Sequence, residues 1–291
     1  MKTILFCLLS FFVATSIHAE NDKAFVWEVT AGSNTVYLMG SIHFADSSFY
    51  PLRKEIEQAF DRSSHLVVEL DVNNIQPEKY NQILQEKGSY KNGKTIEDVL
   101  SEETWLQLRQ SLKKLNIEYD AIKSYKPGIL VLTLSAIQVV QMGFDPDLGI
   151  DIYFLRKAAK QADKQIVELE TLQQQLDLFI DIPDGELLLK ESLFSLDESE
   201  LVMVDIVHFW KQGDEEKMDK LLFEDTLNEY PAFSKIYDSL FYERNRQMTI
   251  KIEDMLKQQE GYFVVVGSGH LIGEKGIVNT LKKNGYKVTR F

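Results

Sequence analysis

Cysteine is nearly absent from this 291-residue chain, since Cys7 is the only one. Cys7 lies in an N-terminal apolar run, residues 4–13, that has the pattern of a secretory signal peptide. Once that segment is removed, the chain has no cysteine, which excludes disulfide bonds and thiol catalysis. Stability must therefore come from an apolar core, and a chain of this length can bury a large one.

Long hydrophobic runs are also lacking, apart from residues 4–13. That run is too short for a permanent membrane helix, which needs about 20 residues. Lys2 precedes the run and Ala19 follows it at a plausible cleavage point, so residues 1–19 are predicted to be a signal peptide. An uncleaved anchor is the alternative. We expect an exported protein, periplasmic or extracellular, with no stable membrane span after cleavage.

Basic residues are outnumbered, with 32 Lys and Arg against 45 Asp and Glu and a net charge of −13. Nucleic acids select basic surfaces, so no nucleic-acid partner is expected. Several familiar motifs are missing too: the chain has no His-Glu-x-x-His, no Gly-x-Ser-x-Gly and no P-loop. The common zinc protease, serine hydrolase and P-loop nucleotide-binding classes are thereby excluded.

A Gly-Ser-x-His motif, by contrast, occurs twice, at residues 40–43 and 267–270. Each copy directly follows an apolar segment that is typical of a strand. In open α/β sheets, ligands bind beyond the carboxyl ends of the strands. His43 and His270 are therefore predicted to point into one crevice. The alternative is that both histidines only form hydrogen bonds in loops.

The rest of the pattern predicts an α/β fold, or α+β, around a central mixed sheet. A single domain is expected over residues 20–291. Its α/β core comes from residues 20–75 and 246–291, and residues 76–245 form a mostly helical insertion that adds a core strand near 165–170. The predicted strands are 25–29, 35–39, 65–70, 165–169, 261–266 and 286–291.

The spacing of apolar residues predicts helices throughout the insertion. Two more helices are predicted outside it, one that begins at Pro51 and one over residues 277–281. Pro51 is predicted to open its helix. The predicted helices of the insertion and its C-terminal boundary are 78–87, 102–115, 128–142, 149–162, 185–194, 198–211, 214–226 and 232–258.

Acidic residues at strand ends could complete a site with the two histidines. Glu69 lies at the end of the predicted strand 65–70, the first strand after residues 40–43. Glu168 and Glu170 flank the end of the predicted strand 165–169. Two imidazoles and a carboxylate form a plausible open site for a divalent ion. Glu69 could be a ligand or a general base. His65 and His208 are predicted to be structural.

The chain also resembles a known family, TraB/GumN, which is similar to the Tiki metalloproteases. The resemblance covers nearly the whole chain after residue 19, and the order of its motifs makes it specific. The motifs are Gly40-Ser41-Ile42-His43, Leu66-Val67-Val68-Glu69-Leu70-Asp71, Gly149-Ile150-Asp151, Leu169-Glu170-Thr171 with Gln174-Gln175, Glu243-Arg244-Asn245 and Gly267-Ser268-Gly269-His270.

This resemblance implies a site built from both histidines, Glu69 and the Arg244–Asn245 region, with Asp151 and Glu170 as possible additional ligands. It also implies peptide cleavage that depends on a divalent ion, with manganese or cobalt favoured; zinc is a further option. Arg244 or Asn245 would stabilise the developing oxyanion.

Two functional hypotheses follow. The first is an exported metal-dependent hydrolase, most plausibly a peptidase, with a peptide or protein as substrate. The second is a non-catalytic exported protein that sequesters a peptide or a haem-like ligand in the same crevice. A distance beyond roughly 8 Å between the His43 and His270 side chains would exclude a shared ion, because metal–nitrogen bonds are about 2 Å long.

Overall fold

The structure is a computed structural model that describes residues 22–194 and 199–291. The predicted signal peptide, residues 1–19, lies outside these residues. Six strands form one sheet. In chain order they are β1 (Val26–Ala31), β2 (Asn34–Ser41), β3 (His65–Val68), β4 (Gln165–Glu168), β5 (Tyr262–Gly267) and β6 (Lys287–Arg290).

The order of the strands in the sheet is β4-β3-β5-β2-β1-β6. The first four run parallel to one another, whereas β1 pairs antiparallel with both β2 and β6. The predicted α/β fold with a central mixed sheet is therefore confirmed. Because β4, β3, β5 and β2 are parallel, their carboxyl ends meet at one edge of the sheet.

Helices fill most of the chain between β3 and β5. The α-helices of the described residues are α1 (Lys54–Arg62), α2 (Pro77–Ile83), α3 (Glu102–Lys114), α4 (Tyr119–Ile122), α5 (Pro127–Gln141), α6 (Ile150–Ala158), α7 (Leu172–Ile180), α8 (Gly185–Phe194), α9 (Ser199–Gln212), α10 (Glu215–Asp219), α11 (Asp225–Glu229), α12 (Ser234–Tyr237), α13 (Glu243–Met255), α14 (Ser268–Leu271) and α15 (Ile277–Lys283).

Among the helices of the described residues, none has the length and hydrophobicity that a membrane span requires.

Several helical predictions differ from the structure. Pro51 does not open α1, because the backbone of Arg53 is still extended (ψ 140°) and the helix begins at Lys54. π-helical turns interrupt the predicted helices 232–258, between α12 and α13, and 214–226, between α10 and α11, and another one follows α2 within the predicted helix 78–87. Helix α7 was not predicted, although a capping box between Thr171 and Gln174 marks its start.

The main apolar core lies around the sheet, and three smaller apolar clusters lie among the helices. Strand β5 is central and buried from Tyr262 to Val266, as expected for a parallel strand covered on both faces. Phe263 contacts Phe60 of α1 and Phe154 of α6. This packing holds α6, the helix that carries Asp151, against the sheet, where it contacts β3, β4 and β5.

Candidate active site

Three neighbouring strands, β3, β5 and β2, deliver polar residues to the same edge of the sheet. Ser41 is the last residue of β2, and His43 follows two positions later. Glu69 comes directly after β3. The second motif begins at Gly267, the last residue of β5, and places His270 in the short helix α14. Residues separated by more than 200 positions in the chain thus become neighbours through parallel pairing.

The two Gly-Ser-x-His motifs contact each other directly. The Ser268 hydroxyl donates a hydrogen bond to the Ser41 carbonyl oxygen at 2.9 Å. A Cβ at Gly40 would lie 2.8 Å from Ser268 Oγ and 2.9 Å from Phe25 Cβ, so only glycine allows this approach. The close contact explains why the first motif needs its glycine.

His270 is a buried imidazole with a fixed orientation. Its Nδ1 lies 2.6 Å from Asn245 Oδ1, while Asn245 Nδ2 donates to the Lys275 carbonyl oxygen at 3.0 Å. The amide oxygen therefore accepts from Nδ1–H, which leaves the Nε2 lone pair free. Burial lowers the pKa of His270 to about 4, so the ring is neutral near pH 7.

His43 is held in the same manner but is open to solvent. Its Nδ1 lies 3.1 Å from Asp151 Oδ1, and the Ser41 hydroxyl donates to that oxygen at 2.7 Å. The side chain of His43 is 55% exposed. The charge of Asp151 raises the pKa of His43 to about 9. Because Nδ1 is occupied, Nε2 is the atom that a ligand would meet, and near pH 7 it carries a proton that a metal ion would have to displace.

Glu69 is a buried carboxylate with several partners. Oε1 accepts from the Gly267 backbone N–H at 2.6 Å and lies 3.8 Å from His270 Nε2. Oε2 accepts from Arg244 Nη2 at 2.6 Å and from Gln175 Nε2 at 3.3 Å. Burial alone would raise the pKa of Glu69, but the neighbouring positive charges and the Gly267 N–H hold it at about 2.

Arg244 joins Glu69 to a second carboxylate. Its Nε and Nη2 atoms donate to the two oxygens of Glu170, each at 2.7 Å, in a bidentate pair. Gln175 Nε2 also donates to Glu170, at 3.0 Å. Arg244 Nη1 donates to the Leu240 carbonyl oxygen. The guanidinium of Arg244 therefore fixes the positions of the Glu69 and Glu170 carboxylates.

Both imidazoles and the Glu69 carboxylate converge on one point in front of Gly267. A Cβ atom built there would lie 3.4 Å from Glu69 Oε1, 3.5 Å from His270 Cδ2 and 3.6 Å from His43 Nε2. The His43 and His270 side chains are therefore closer than the roughly 8 Å that would exclude a shared ion. The missing side chain at Gly267 leaves the space in which a ligand could contact all three groups.

The chemistry of these donors fits a divalent metal ion. Each histidine presents Nε2 while its Nδ1 atom is held by an oxygen, the arrangement that orients metal-binding histidines. Two donors on one ion lie at most about 4.2 Å apart, and His270 Nε2 and Glu69 Oε1 are separated by 3.8 Å. Within residues 22–194 and 199–291, however, no three His, Cys, Asp or Glu side chains are already assembled around an ion position.

The remaining candidates have supporting positions. Asp151 contacts Nδ1 of His43, and Glu170 contacts Arg244; neither faces the point in front of Gly267. Asn245 is buried, and its amide oxygen and nitrogen contact His270 Nδ1 and the Lys275 carbonyl oxygen, so in this arrangement it positions the histidine. Sequence reasoning missed Ser41 and Gln175 as partners, although both lie within motifs that it singled out.

Among the described residues, two further histidines lie away from this cluster. His65 begins β3, at the opposite end of the strand from Glu69, and its ring stacks on Tyr262 at 4.6 Å. His208 is exposed on α9. His65 is therefore a buried, packed side chain, whereas His208 is exposed and its predicted structural role stays a prediction.

Comparison with known proteins adds a family and three relatives. A sequence model described as the TraB/PrgY/gumN family matches residues 25–290. The uncharacterized protein YbaP of Escherichia coli is 25% identical over 252 residues, 86% of this chain and 89% of that protein. The metalloprotease TIKI homolog of Amphimedon queenslandica is 23% identical over 350 residues, 100% of this chain and 66% of that protein. The metalloprotease TIKI2 of Xenopus tropicalis is 21% identical, over 92% of this chain and 60% of that protein.

No solved structure matches the chain at a significant level.

Proposed function

The chain belongs to the TraB/PrgY/gumN family, and from that premise we propose that it is an exported, metal-dependent hydrolase that cleaves peptides. Support comes from relatives that are named metalloproteases. The observation that carries the proposal is the convergence of His43 Nε2, the His270 ring and Glu69 Oε1 in front of Gly267.

In this proposal His43, His270 and Glu69 hold the ion. The family resemblance suggests manganese or cobalt, with zinc as a further option, and such an ion acts as a Lewis acid toward a peptide carbonyl. Glu69 stays ionised near pH 7 because its pKa is about 2. A carboxylate of such low pKa is a weak general base, so Glu69 serves as a ligand.

The supporting residues keep the donors ready for the ion. Asn245 keeps His270 in the tautomer with a free Nε2 lone pair, and Asp151 orients His43. Arg244, itself held by Glu170, fixes the position of the Glu69 carboxylate. Arg244 and Asn245 thus act through other residues, as positioning groups.

Metal-dependent cleavage of a mixed peptide library tests this proposal. We expect wild-type protein loaded with manganese, cobalt or zinc to cleave peptides and chelator-treated protein to be inactive. His43→Ala and His270→Ala should lose both the metal and the activity. His208→Ala is the matched control, because His208 is an exposed histidine on α9. The proposal fails if the wild type takes up no divalent ion, or if the His43→Ala and His270→Ala variants match the control.

Export is part of the same proposal and rests on residues 1–19. The mature protein should begin at Glu20 and appear in the periplasmic or extracellular fraction. Mass spectrometry of the fractionated protein checks both points, and an intact N-terminus in the membrane fraction would indicate an uncleaved anchor instead.

A second candidate function is a non-catalytic protein that sequesters a peptide or a haem-like ligand. It is favoured by Glu69, whose oxygens already accept hydrogen bonds from Gly267, Arg244 and Gln175. A Soret band on the purified protein, or a retained peptide that is released intact, would support binding. Fragments that appear only with added metal would support hydrolysis.

A further inference from the structure

A pocket of about 390 Å³ opens beside the convergence point. His43 and Glu69 form one side of it, and Val265 and Val266 of β5 contribute to its lining. Its volume lies within the range of pockets that bind small organic groups. A ligand group inside this pocket would therefore lie next to the proposed reaction centre.

Most of the remaining lining is apolar, although Ser41, Asp147, Asp151 and Gln175 also contribute to it. The apolar residues come from separate parts of the chain, namely Phe44 after β2, Leu70 and Val72 after β3, Pro146 before α6 and Ile152 within α6. Val72 is 38% exposed. An apolar group that covers these side chains would remove their surface from water, which is favourable in proportion to the area buried.

The charged groups around the pocket already have partners. Glu69 is paired with Arg244, and Asp151 with His43. Asp147, at the mouth, is paired with Arg156 at 2.7 Å. A charged side chain of a ligand would lose its hydration without gaining an unpaired opposite charge, which is costly.

We infer that this pocket binds an aliphatic side chain of the peptide, on a residue adjacent to the bond that is cleaved. The inference rests on the proposed function, since it assigns the pocket to the same reaction centre. A peptide carbonyl placed before His43 and Glu69 puts a neighbouring side chain between Val72 and Ile152. The substrate class is accordingly a peptide with leucine, valine, isoleucine or methionine beside the cleaved bond.

Binding can be measured separately from cleavage. Three fluorescein-labelled peptides would differ only in a central leucine, aspartate or lysine, and fluorescence anisotropy in chelator would give their dissociation constants. The leucine peptide should bind at least about tenfold more tightly than the others, the effect expected from burying one aliphatic side chain. Val72→Asp should remove this preference. Leu106→Asp is the matched control, since Leu106 is an exposed apolar residue on α3, outside the pocket.

These measurements separate a failure of the pocket assignment from a failure of the peptidase proposal. Equal affinities for the three peptides, or a leucine preference that survives Val72→Asp, would overturn the inference. The same peptides are then incubated with metal-loaded protein. A leucine preference in binding without any cleavage would uphold the pocket and contradict the peptidase proposal. Cleavage of all three peptides with equal affinities would uphold the peptidase proposal and contradict the assignment of the pocket.

Discussion

The pairing of Arg244 with two buried carboxylates predicts a large loss of stability when the guanidinium is removed. The side chains of Glu69 and Glu170 are only 9% and 11% exposed, and Arg244 bonds to both. Arg244→Met keeps an apolar stem but leaves two buried negative charges without a cation. Removing one partner of a buried ion pair costs about 3–5 kcal/mol, so we expect the free energy of unfolding to fall by about this amount at pH 7.

The pH dependence gives this prediction a definite sign. The pKa of Glu69 is depressed to about 2, so its interactions stabilise the protein above its unfolded pKa and are lost as the pH falls through about 2. In Arg244→Met the pKa of Glu69 rises, because the guanidinium no longer favours its charge. The stability difference between wild type and variant should therefore narrow between pH 7 and pH 3.

A second substitution tests whether charge is the cause. Arg244→Met with Glu170→Gln leaves one unpaired carboxylate instead of two, and should recover at least about 1 kcal/mol of the lost stability. Urea unfolding followed by circular dichroism measures all variants.

The matched control is Arg246→Met, on the same helix α13. Arg246 pairs with Glu243, and both side chains are more than half exposed. Surface ion pairs contribute about 0–1 kcal/mol, so this variant should stay close to wild type. The reasoning is refuted if Arg244→Met costs no more than Arg246→Met, or if the double variant is less stable than Arg244→Met alone.

Three further predictions concern the site itself. In chelator-treated protein, Asp151→Asn should lower the pKa of His43 from about 9 toward its ordinary 6.5, because the carboxylate that favours the protonated ring is gone; NMR titration measures it, and an unchanged pKa would contradict the pairing. Asn245→Ala should weaken metal binding by about 10–100-fold, since His270 loses the partner that orients it; calorimetric titration measures it, and undiminished affinity would contradict this role. Gly267→Ala should abolish metal binding while changing the unfolding free energy by less than about 1 kcal/mol, because the added methyl makes only ordinary van der Waals contacts but occupies the convergence point; metal binding with wild-type affinity would place the ion elsewhere.

The sequence could predict that His43, Glu69 and His270 lie together because each of them lies at or just beyond the carboxyl end of a predicted strand. Each Gly-Ser-x-His motif follows an apolar strand, and so does Glu69. Once these strands are parallel neighbours, their carboxyl ends must meet. The distance along the chain between residues 43 and 270 does not enter this argument, which is why the pattern survives the long helical segment between them.

The orientation of individual side chains could not be predicted in the same way. Arg244 and Asn245 are adjacent on α13, yet one contacts Glu69 and the other contacts His270. Their separate partners depend on the rotation of α13 relative to the sheet, which no local pattern encodes. Asp151 was likewise recognised as part of a motif, but its contact with Nδ1 of His43 depends on how α6 packs against the strands.

The prediction of helix boundaries was wrong where local sequence signals disagreed with one another. Proline is favoured in the first turn of a helix, and Pro51 was therefore assigned as a start, but extended backbone at Arg53 delays α1 to Lys54. Helix α7 has apolar residues at helical spacing, namely Leu172, Leu176, Phe179 and Ile180, and a capping box between Thr171 and Gln174 marks its start, so the sequence contains the signals for this helix. Such end signals are weaker guides than the hydrophobic pattern of a strand.

The most direct test of the central claim is a crystal structure of the protein soaked with manganese, with anomalous diffraction measured for the metal. The account predicts a single strong anomalous peak in front of Gly267, between the His43 and His270 rings and the Glu69 carboxylate. The peak should be absent in crystals of His270→Ala. A fully soaked wild-type crystal with no peak at this point, or with its only peak elsewhere, would contradict the account.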